Sequence, residues 1–182
     1  MIRALVLDVD GVLSDGGVIL DAAGGEAKRF HTRDGVGIKL AQHAGWRVLF
    51  LTARDSEPAR RRARELGAEW ATGIAHKEAH LEAWLAAASI PWEQTAYVGD
   101  DLPDLGVMMR VGWPVAVGDA VEDVKRVARH VTAVPGGAGA VRDAVEWLLE
   151  RTGELDRAKQ SFLHRPTGFS VGEEATGGPA PS

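Results

Sequence analysis

Ala4-Leu-Val-Leu-Asp8-Val-Asp10-Gly-Val-Leu-Ser-Asp15-Gly-Gly, residues 4 to 17, is the stretch whose reading decides the fold. Four apolar residues in a row suit a central strand of a parallel sheet, buried on both faces. Ligands of open α/β sheets bind at the C-terminal ends of such strands. Period-two geometry brings Asp8 and Asp10 to one side, where two carboxylates repel unless a cation or a shared proton lies between them. Two solvated turn acids are the plainer alternative. An EF-hand is excluded, because its required Gly falls on Leu13 and its closing Glu on Ile19.

Outward from this stretch, short apolar runs alternate with helical patterns. Strands are expected at 4–9, 48–52, 95–98 and 115–117, and helices at 36–44, 57–66, 77–88, 102–111, 121–128 and 140–151. This is the α/β signature with a parallel sheet. Val18-Ile-Leu-Asp21 and Ala27-Lys-Arg-Phe-His31 flank Ala22-Ala-Gly-Gly25, and Gly24 and Gly25 can supply the positive φ of a tight turn. A projecting β-hairpin is expected there. Periodicity fades beyond Glu154, so residues 1–153 read as one domain and 154–182 as a mobile tail.

Composition narrows the function. A hydrophobic fraction of 45% and a charged fraction of 26% are ordinary for a globular protein. With no cysteine, disulfides, thiolate metal sites and a Cys nucleophile are absent. The first apolar run meets acids too soon for a signal-peptide core or a membrane span, so a cytoplasmic location without a membrane partner is expected. A net charge of −5, with arginines scattered among acids, forms no basic stripe for nucleic acid.

A second acidic cluster, Gly99-Asp100-Asp101-Leu-Pro-Asp104, follows the apolar strand Ala96-Tyr-Val. Gly99 permits a tight turn, and Asp100 and Asp104 are spaced to share a face at a helix start. Asp101 or Asp104 could equally cap that helix. Two aspartate pairs at two neighbouring strand ends make a hard-oxygen site suited to Mg²⁺, which also takes a phosphate oxygen. Thr52, ending the strand Val48-Leu-Phe-Leu, and Lys77, opening a helix, could each donate to a phosphoryl oxygen. Each alone is common; the ordered set is specific.

In that order, Asp8-Val-Asp10-Gly, Thr52, Lys77 and Gly99-Asp100-Asp101-x-x-Asp104, the sequence resembles the haloacid-dehalogenase superfamily over about residues 3 to 150. The resemblance implies a three-layer, doubly wound, Rossmann-like core. It also implies a Mg²⁺-dependent phosphatase acting through an aspartyl-phosphate. Asp8 would be the nucleophile and Asp10 the general acid and base, with Lys77 and Thr52 binding phosphoryl oxygens. Mg²⁺ would be held by Asp8, Asp100 and the main-chain carbonyl of Asp10, with Asp101 and Asp104 behind them.

A finer resemblance is to the subfamily of 3-deoxy-D-manno-octulosonate 8-phosphate phosphatases. It is carried by Asp15-Gly-Gly, Phe30-His-Thr-Arg-Asp-Gly-Val-Gly-Ile38, Arg62 and Gly136-Gly-Ala-Gly-Ala-Val-Arg142. Ala53 and Gly106 depart from it, standing where Gly and Pro are usual. It implies a sugar-acid phosphate as substrate, or alternatively a nonulosonate 9-phosphate or another small ester. A sugar carboxylate calls for a fork-shaped cation, and Arg33, Arg54, Arg62 and Arg142 are candidates.

Three other readings compete. A receiver domain shares Asp, Thr and Lys around Mg²⁺, but here the Asp-x-Asp lies within one loop, which puts a proton donor beside the nucleophile. A non-catalytic oligomerisation module lacks the reactive residues that this chain retains. A dinucleotide site would rest on Gly137-x-Gly139 without its third Gly.

The 43 residues between Asp8 and Thr52, and the 22 between Lys77 and Asp100, leave no room for a cap domain. Yet phosphoryl transfer benefits from shielding against bulk water. The subfamily implies a homotetramer whose hairpins join subunits, and Val18, Ile19, Leu20 and Phe30 supply apolar surface for that. Arg33 or the segment from Phe162 to Arg165 would then act across subunits.

Overall fold

The computed structural model describes residues 1–164. Six strands form one parallel sheet: β1 (Ala4–Leu7), β4 (Arg47–Leu51), β5 (Glu69–Ala71), β6 (Thr95–Gly99), β7 (Trp113–Ala116) and β8 (His130–Val131). Their spatial order is β5-β4-β1-β6-β7-β8. From β1 the chain builds outward through β4 and β5, then returns to lay β6 on the other flank of β1. That reversal places a topological switch point between β1 and β6, where open α/β sheets bind ligands.

The helices are α1 (Thr32–His43), α2 (Glu57–Leu66), α3 (Lys77–Ala88), α4 (Leu105–Met108), α5 (Glu122–Val127), α6 (Ala140–Thr152) and α7 (Leu155–His164). They flank the sheet in two groups, α1 with α2, α6 and α7, and α3 with α4 and α5. The three-layer Rossmann-like core follows. Leu5, Leu7, Phe50, Leu51 and Val98 are fully buried between the layers, and burying such a side chain stabilises the fold by about 1.5–3 kcal/mol. Local chemistry fixes the helix ends. Ser56 caps α2 by accepting from the N–H of Ala59, and Gly67 ends it at φ +65°.

Asp34, within the stretch from Phe30 to Ile38, is buried in α1 and accepts from the N–H of Arg142 at 3.0 Å. It thus caps the start of α6 from a neighbouring helix. Burial raises its pKa, against backbone donors from Arg142, Gly139 and Val141. Gly37 lets α1 approach α6 closely, since a Cβ there would lie 2.8 Å from Arg142 Cα.

Several elements differ from the sequence expectations. Strands β5 and β8 are short edge strands of three and two residues, without the apolar run that marks a central strand. The helix expected at 102–111 is a 3₁₀ turn at Leu102–Asp104 followed by the four residues of α4. Its start is tightened because the Asp104 carboxylate folds back onto the preceding backbone N–H groups. The expected tail begins as helix α7, whose Leu155, Ala158 and Phe162 pack on the body of the protein. His43 of α1 pairs with Ser161 at 2.9 Å and meets the Phe162 ring edge-on. A three-residue apolar stripe is too short to register as periodicity. Arg165 and the residues after it lie outside the described residues.

The hairpin consists of β2 (Ile19–Leu20) and β3 (Glu26–Ala27), antiparallel, with Leu20 opposite Glu26. Its turn uses Gly24 at φ +85°; Gly25 has no positive φ, and Asp21 Oδ1 instead accepts from its N–H at 2.8 Å. Val18, Ile19 and Leu20 are exposed, whereas Phe30 packs on the protein's own core beneath Arg62. Among the described residues no insertion folds as a separate cap, and no helix is long and apolar enough to cross a membrane.

Ser89, which ends α3, is the one described non-glycine residue with positive φ, at +52°. Left-handed backbone favours Gly, so Ser89→Gly is expected to stabilise by roughly 0.5–1 kcal/mol. The check is a melting-temperature rise of about 1–4 °C by calorimetry at this chain length; a fall would contradict it.

Candidate active site

The ends of β1, β4 and β6 and the start of α3 converge on a cleft of about 150 Å³. It is lined by Asp8, Asp10, Thr52, Arg54, Lys77, Asp100, Asp101 and Asp104, together with Ala53 and Pro103. Asp8 follows the last residue of β1 and is buried, its N–H donating to Val98 O on β6. Lys77, the first residue of α3, is buried with it. Its Nζ donates to Asp8 Oδ1 at 2.6 Å and to Asp104 Oδ1 at 2.7 Å.

Asp104 is saturated with donors. Oδ1 also accepts from the Tyr97 hydroxyl at 2.6 Å, and Oδ2 accepts from the N–H groups of Asp100 at 2.9 Å and Asp101 at 3.4 Å. This carboxylate therefore orients Lys77 and the Asp100 backbone. Asp101 is exposed and caps the following turn by accepting from Leu102 N–H. Gly99 matters for a different reason than a turn conformation. It has no positive φ, but a Cβ there would lie 2.7 Å from Asp104 Oδ2.

Ligand atoms of Asp8, Asp100 and Asp104 lie within 4.8 Å of one another. Three carboxyl groups are gathered around one ammonium, an excess of acids over cations. Burial first, and then mutual repulsion with Asp104, push the Asp8 carboxyl up to about 6 against the pull of Lys77. Burial and the charges of Asp8 and Asp104 push Asp100 up to about 8. Gly11, at φ +91°, follows Asp10 so closely past Asp100 that a Cβ would lie 2.0 Å from Asp100 Oδ2. Hard oxygens, excess negative charge and a backbone drawn against a carboxylate fit a small divalent cation.

Thr52 is buried at the end of β4. Its hydroxyl donates to Asp10 Oδ2 at 3.4 Å and accepts from Arg54 N–H at 3.2 Å. Arg54 extends along the cleft and donates to Glu26 Oε1 of the hairpin at 2.9 Å. Despite a desolvation that would raise it, hydrogen bonds from Ser56, Arg54 and Lys28 hold Glu26 down at about 2. Lys28 in turn contacts Asp10 Oδ1.

The other arginines stand apart. Arg33 and Arg62 line a separate hollow with Thr32, Val36 and Glu65, and Arg62 pairs with Glu65. Arg142 pairs with Glu146 along α6. The glycine segment preceding Arg142 buttresses the cleft loop: a Cβ on Gly136 would lie 1.7 Å from Gly11 O, and Gly137 N–H donates to Val12 O. Sequence reasoning missed three contributors: Tyr97, Glu26 and Lys28. The single tyrosine of the chain, set in an apolar strand, signals a buried hydroxyl needing a partner. The i, i+2 spacing of Glu26 and Lys28 signals two charges on one strand face.

Comparison with known proteins accords with this geometry. The model of the haloacid dehalogenase-like hydrolase family matches residues 68–142. The chain is 40% identical to a 3-deoxy-D-manno-octulosonate 8-phosphate phosphatase of Haemophilus influenzae, covering 92% of this chain and 91% of the relative. It is 42% identical to the enzyme of that name from Escherichia coli, over 87% and 85%. The solved structure of such a phosphatase from Moraxella catarrhalis, in complex with magnesium, phosphate and a KDO molecule, superposes with a TM-score of 0.84. That pair shares 34% identity, over 88% of this chain and 93% of that one.

The fold and site thus define a phosphatase of the haloacid-dehalogenase superfamily. The chain belongs to that superfamily, within the family of 3-deoxy-D-manno-octulosonate 8-phosphate phosphatases.

The charge imbalance carries a pH signature. Carboxyls whose folded pKa is raised bind protons more tightly in the native state, so their contribution is fully present below the unfolded value and is lost as pH rises from there to the folded value. Metal-free protein should therefore lose melting temperature from the ordinary carboxyl range up to about pH 8, with Asp8 contributing only up to about pH 6 and Asp100 alone beyond it. The loss should be smaller in Asp100→Asn, and a divalent cation should abolish it in the unsubstituted protein. A melting temperature that climbs over this window without metal would contradict the reading.

Proposed function

We propose that this phosphatase hydrolyses 3-deoxy-D-manno-octulosonate 8-phosphate or a close sugar-acid phosphate, with Mg²⁺, through an aspartyl-phosphate on Asp8. The observation that carries the reading is Asp8 at the switch point, with Oδ1 engaged by the buried Lys77 and the carboxylate of Asp100 beside it. Engagement of Oδ1 leaves Oδ2 of Asp8 to attack phosphorus as the bond to the sugar oxygen breaks. Asp10 delivers a proton to that departing oxygen. It then takes a proton from the water that attacks the aspartyl-phosphate, regenerating Asp8 and releasing inorganic phosphate.

Lys77 and Thr52 neutralise and orient the phosphoryl oxygens. Asp8, Asp100 and the main-chain carbonyl of Asp10 would hold Mg²⁺, which when bound offsets the negative charge gathering on the phosphoryl group. Arg54, half exposed beside the cleft, is the cation best placed to meet a sugar carboxylate. Arg33 and Arg62 could serve the same cleft only from a neighbouring subunit.

A homotetramer is part of this reading. The exposed run Val18, Ile19 and Leu20 on the hairpin supports it, because water-exposed apolar surface is unfavourable. Light scattering should report four chains, with activity falling on dilution in step with mass; a fully active monomer rules this out.

Phosphate release from a panel of octulosonate, nonulosonate and neutral sugar phosphates, with and without Mg²⁺, tests the substrate. Preference for a neutral sugar phosphate would overturn the sugar-acid assignment. Asp8→Asn should lower turnover at least about a thousandfold, on the order of 4 kcal/mol of barrier, while leaving the fold intact. Asp10→Asn should keep Mg²⁺ affinity, whereas Asp100→Ala should lose it. Near-normal turnover by Asp8→Asn would remove the aspartyl-phosphate from the mechanism.

A further inference from the structure

The hairpin meets Asp10 at the cleft with a lysine to which the steps above give no role. Glu26 and Lys28 are two residues apart where β3 ends, so their side chains leave the strand on one face. The Lys28 side chain is 0% exposed, and its ammonium contacts Asp10 Oδ1 and, at 3.1 Å, Glu26 Oε1. The opposite oxygen, Asp10 Oδ2, receives the Thr52 hydroxyl at 3.4 Å. The Asp10 carboxyl is thus gripped on one oxygen by the hairpin and met loosely on the other by the end of β4. Glu26 is itself tied to Arg54 at 2.9 Å, which anchors Lys28 from behind.

A hairpin lysine at the surface ordinarily keeps its ammonium in water, where its chain entropy and hydration are retained. Here both are given up for a carboxylate whose orientation matters to the reaction. We propose that Lys28 is a positioning residue for Asp10, fixing which carboxyl oxygen faces the leaving group. The proposal rests on Asp10 being the proton donor and acceptor, as read above. With Oδ1 held by Lys28, Oδ2 is the oxygen free to swing from Thr52 toward the ester. Oδ2 then passes the proton to the sugar oxygen as the phosphorus–oxygen bond breaks, and it receives one from water in the second half of the cycle. Lys28 donates no proton and touches no reacting atom.

The test compares kcat/KM on an alkyl phosphate, such as a sugar-acid phosphate, with kcat/KM on p-nitrophenyl phosphate, for the Mg²⁺-loaded full chain. An alkoxide needs a proton to depart and p-nitrophenolate does not, and kcat/KM reports the steps through the first phosphoryl transfer. Lys28→Met is expected to lose about ten- to a hundredfold on the alkyl ester, in the range general acids and misplaced groups command. On p-nitrophenyl phosphate it should lose less than about threefold. Lys28→Arg, which keeps the charge, should recover most of the loss.

Because the ratio of two substrates is taken on one sample, a fraction of misfolded protein cancels from it. An unchanged ratio in Lys28→Met, whether both activities hold or both fall together, overturns the positioning role. Asp10→Asn separates this failure from failure of the underlying reading. If Asp10→Asn also shows no leaving-group dependence, Asp10 is not the proton donor; if it does while Lys28→Met does not, Lys28 alone is misassigned.

Discussion

A buried ammonium between two buried carboxylates holds the cleft together. Lys77 lies at the start of α3, Asp8 at the end of β1 and Asp104 on the loop after β6, so three separate parts of the chain meet at one nitrogen. Desolvation alone would lower the Lys77 pKa, yet the charges of Asp8 and Asp104 raise it above the ordinary value. Removing one partner of such a buried pair costs on the order of 3–5 kcal/mol, because the remaining charge is stranded. The same contact leaves the acids in excess, which turns a structural ion pair into a place for a divalent cation and a phosphate.

Close backbone approach is the second constraint, and glycine supplies it at several points around that pair. Gly11 admits the Asp100 carboxylate, Gly99 admits Asp104, and Gly136 packs directly on the carbonyl of Gly11. Each would place a Cβ within 2.7 Å of an oxygen, closer than any side chain tolerates. The glycine segment before Arg142 therefore belongs to the support of the loop that follows Asp8.

The hairpin combines exposed apolar residues with charged residues that serve the cleft. Ile19 and Leu20 are exposed, while Glu26 and Lys28 turn toward Arg54 and Asp10. Leu20 stands directly opposite Glu26, so an element that would join subunits also touches the group read as the proton carrier.

Much of this was legible in the chain itself. An apolar run ending in Asp8-Val-Asp10, repeated in kind before Thr52 and Asp100, determines parallel strands with polar residues at one edge, because buried strands must be apolar and catalytic groups cannot be. The order of those motifs carries the chemistry. Short edge strands β5 and β8 and helix α7 were not legible, since their stability comes from neighbours and not from local pattern. Which acid ligates and which merely orients is a tertiary matter too. Asp104 is spent on Tyr97, Lys77 and two backbone N–H groups, a count no spacing rule reveals. The arginines divide likewise: Arg54 reaches the cleft while Arg33 and Arg62 share another hollow. A side chain's type is written in the sequence, but the partners that consume or free its charge come from distant segments, and only the folded chain brings those together.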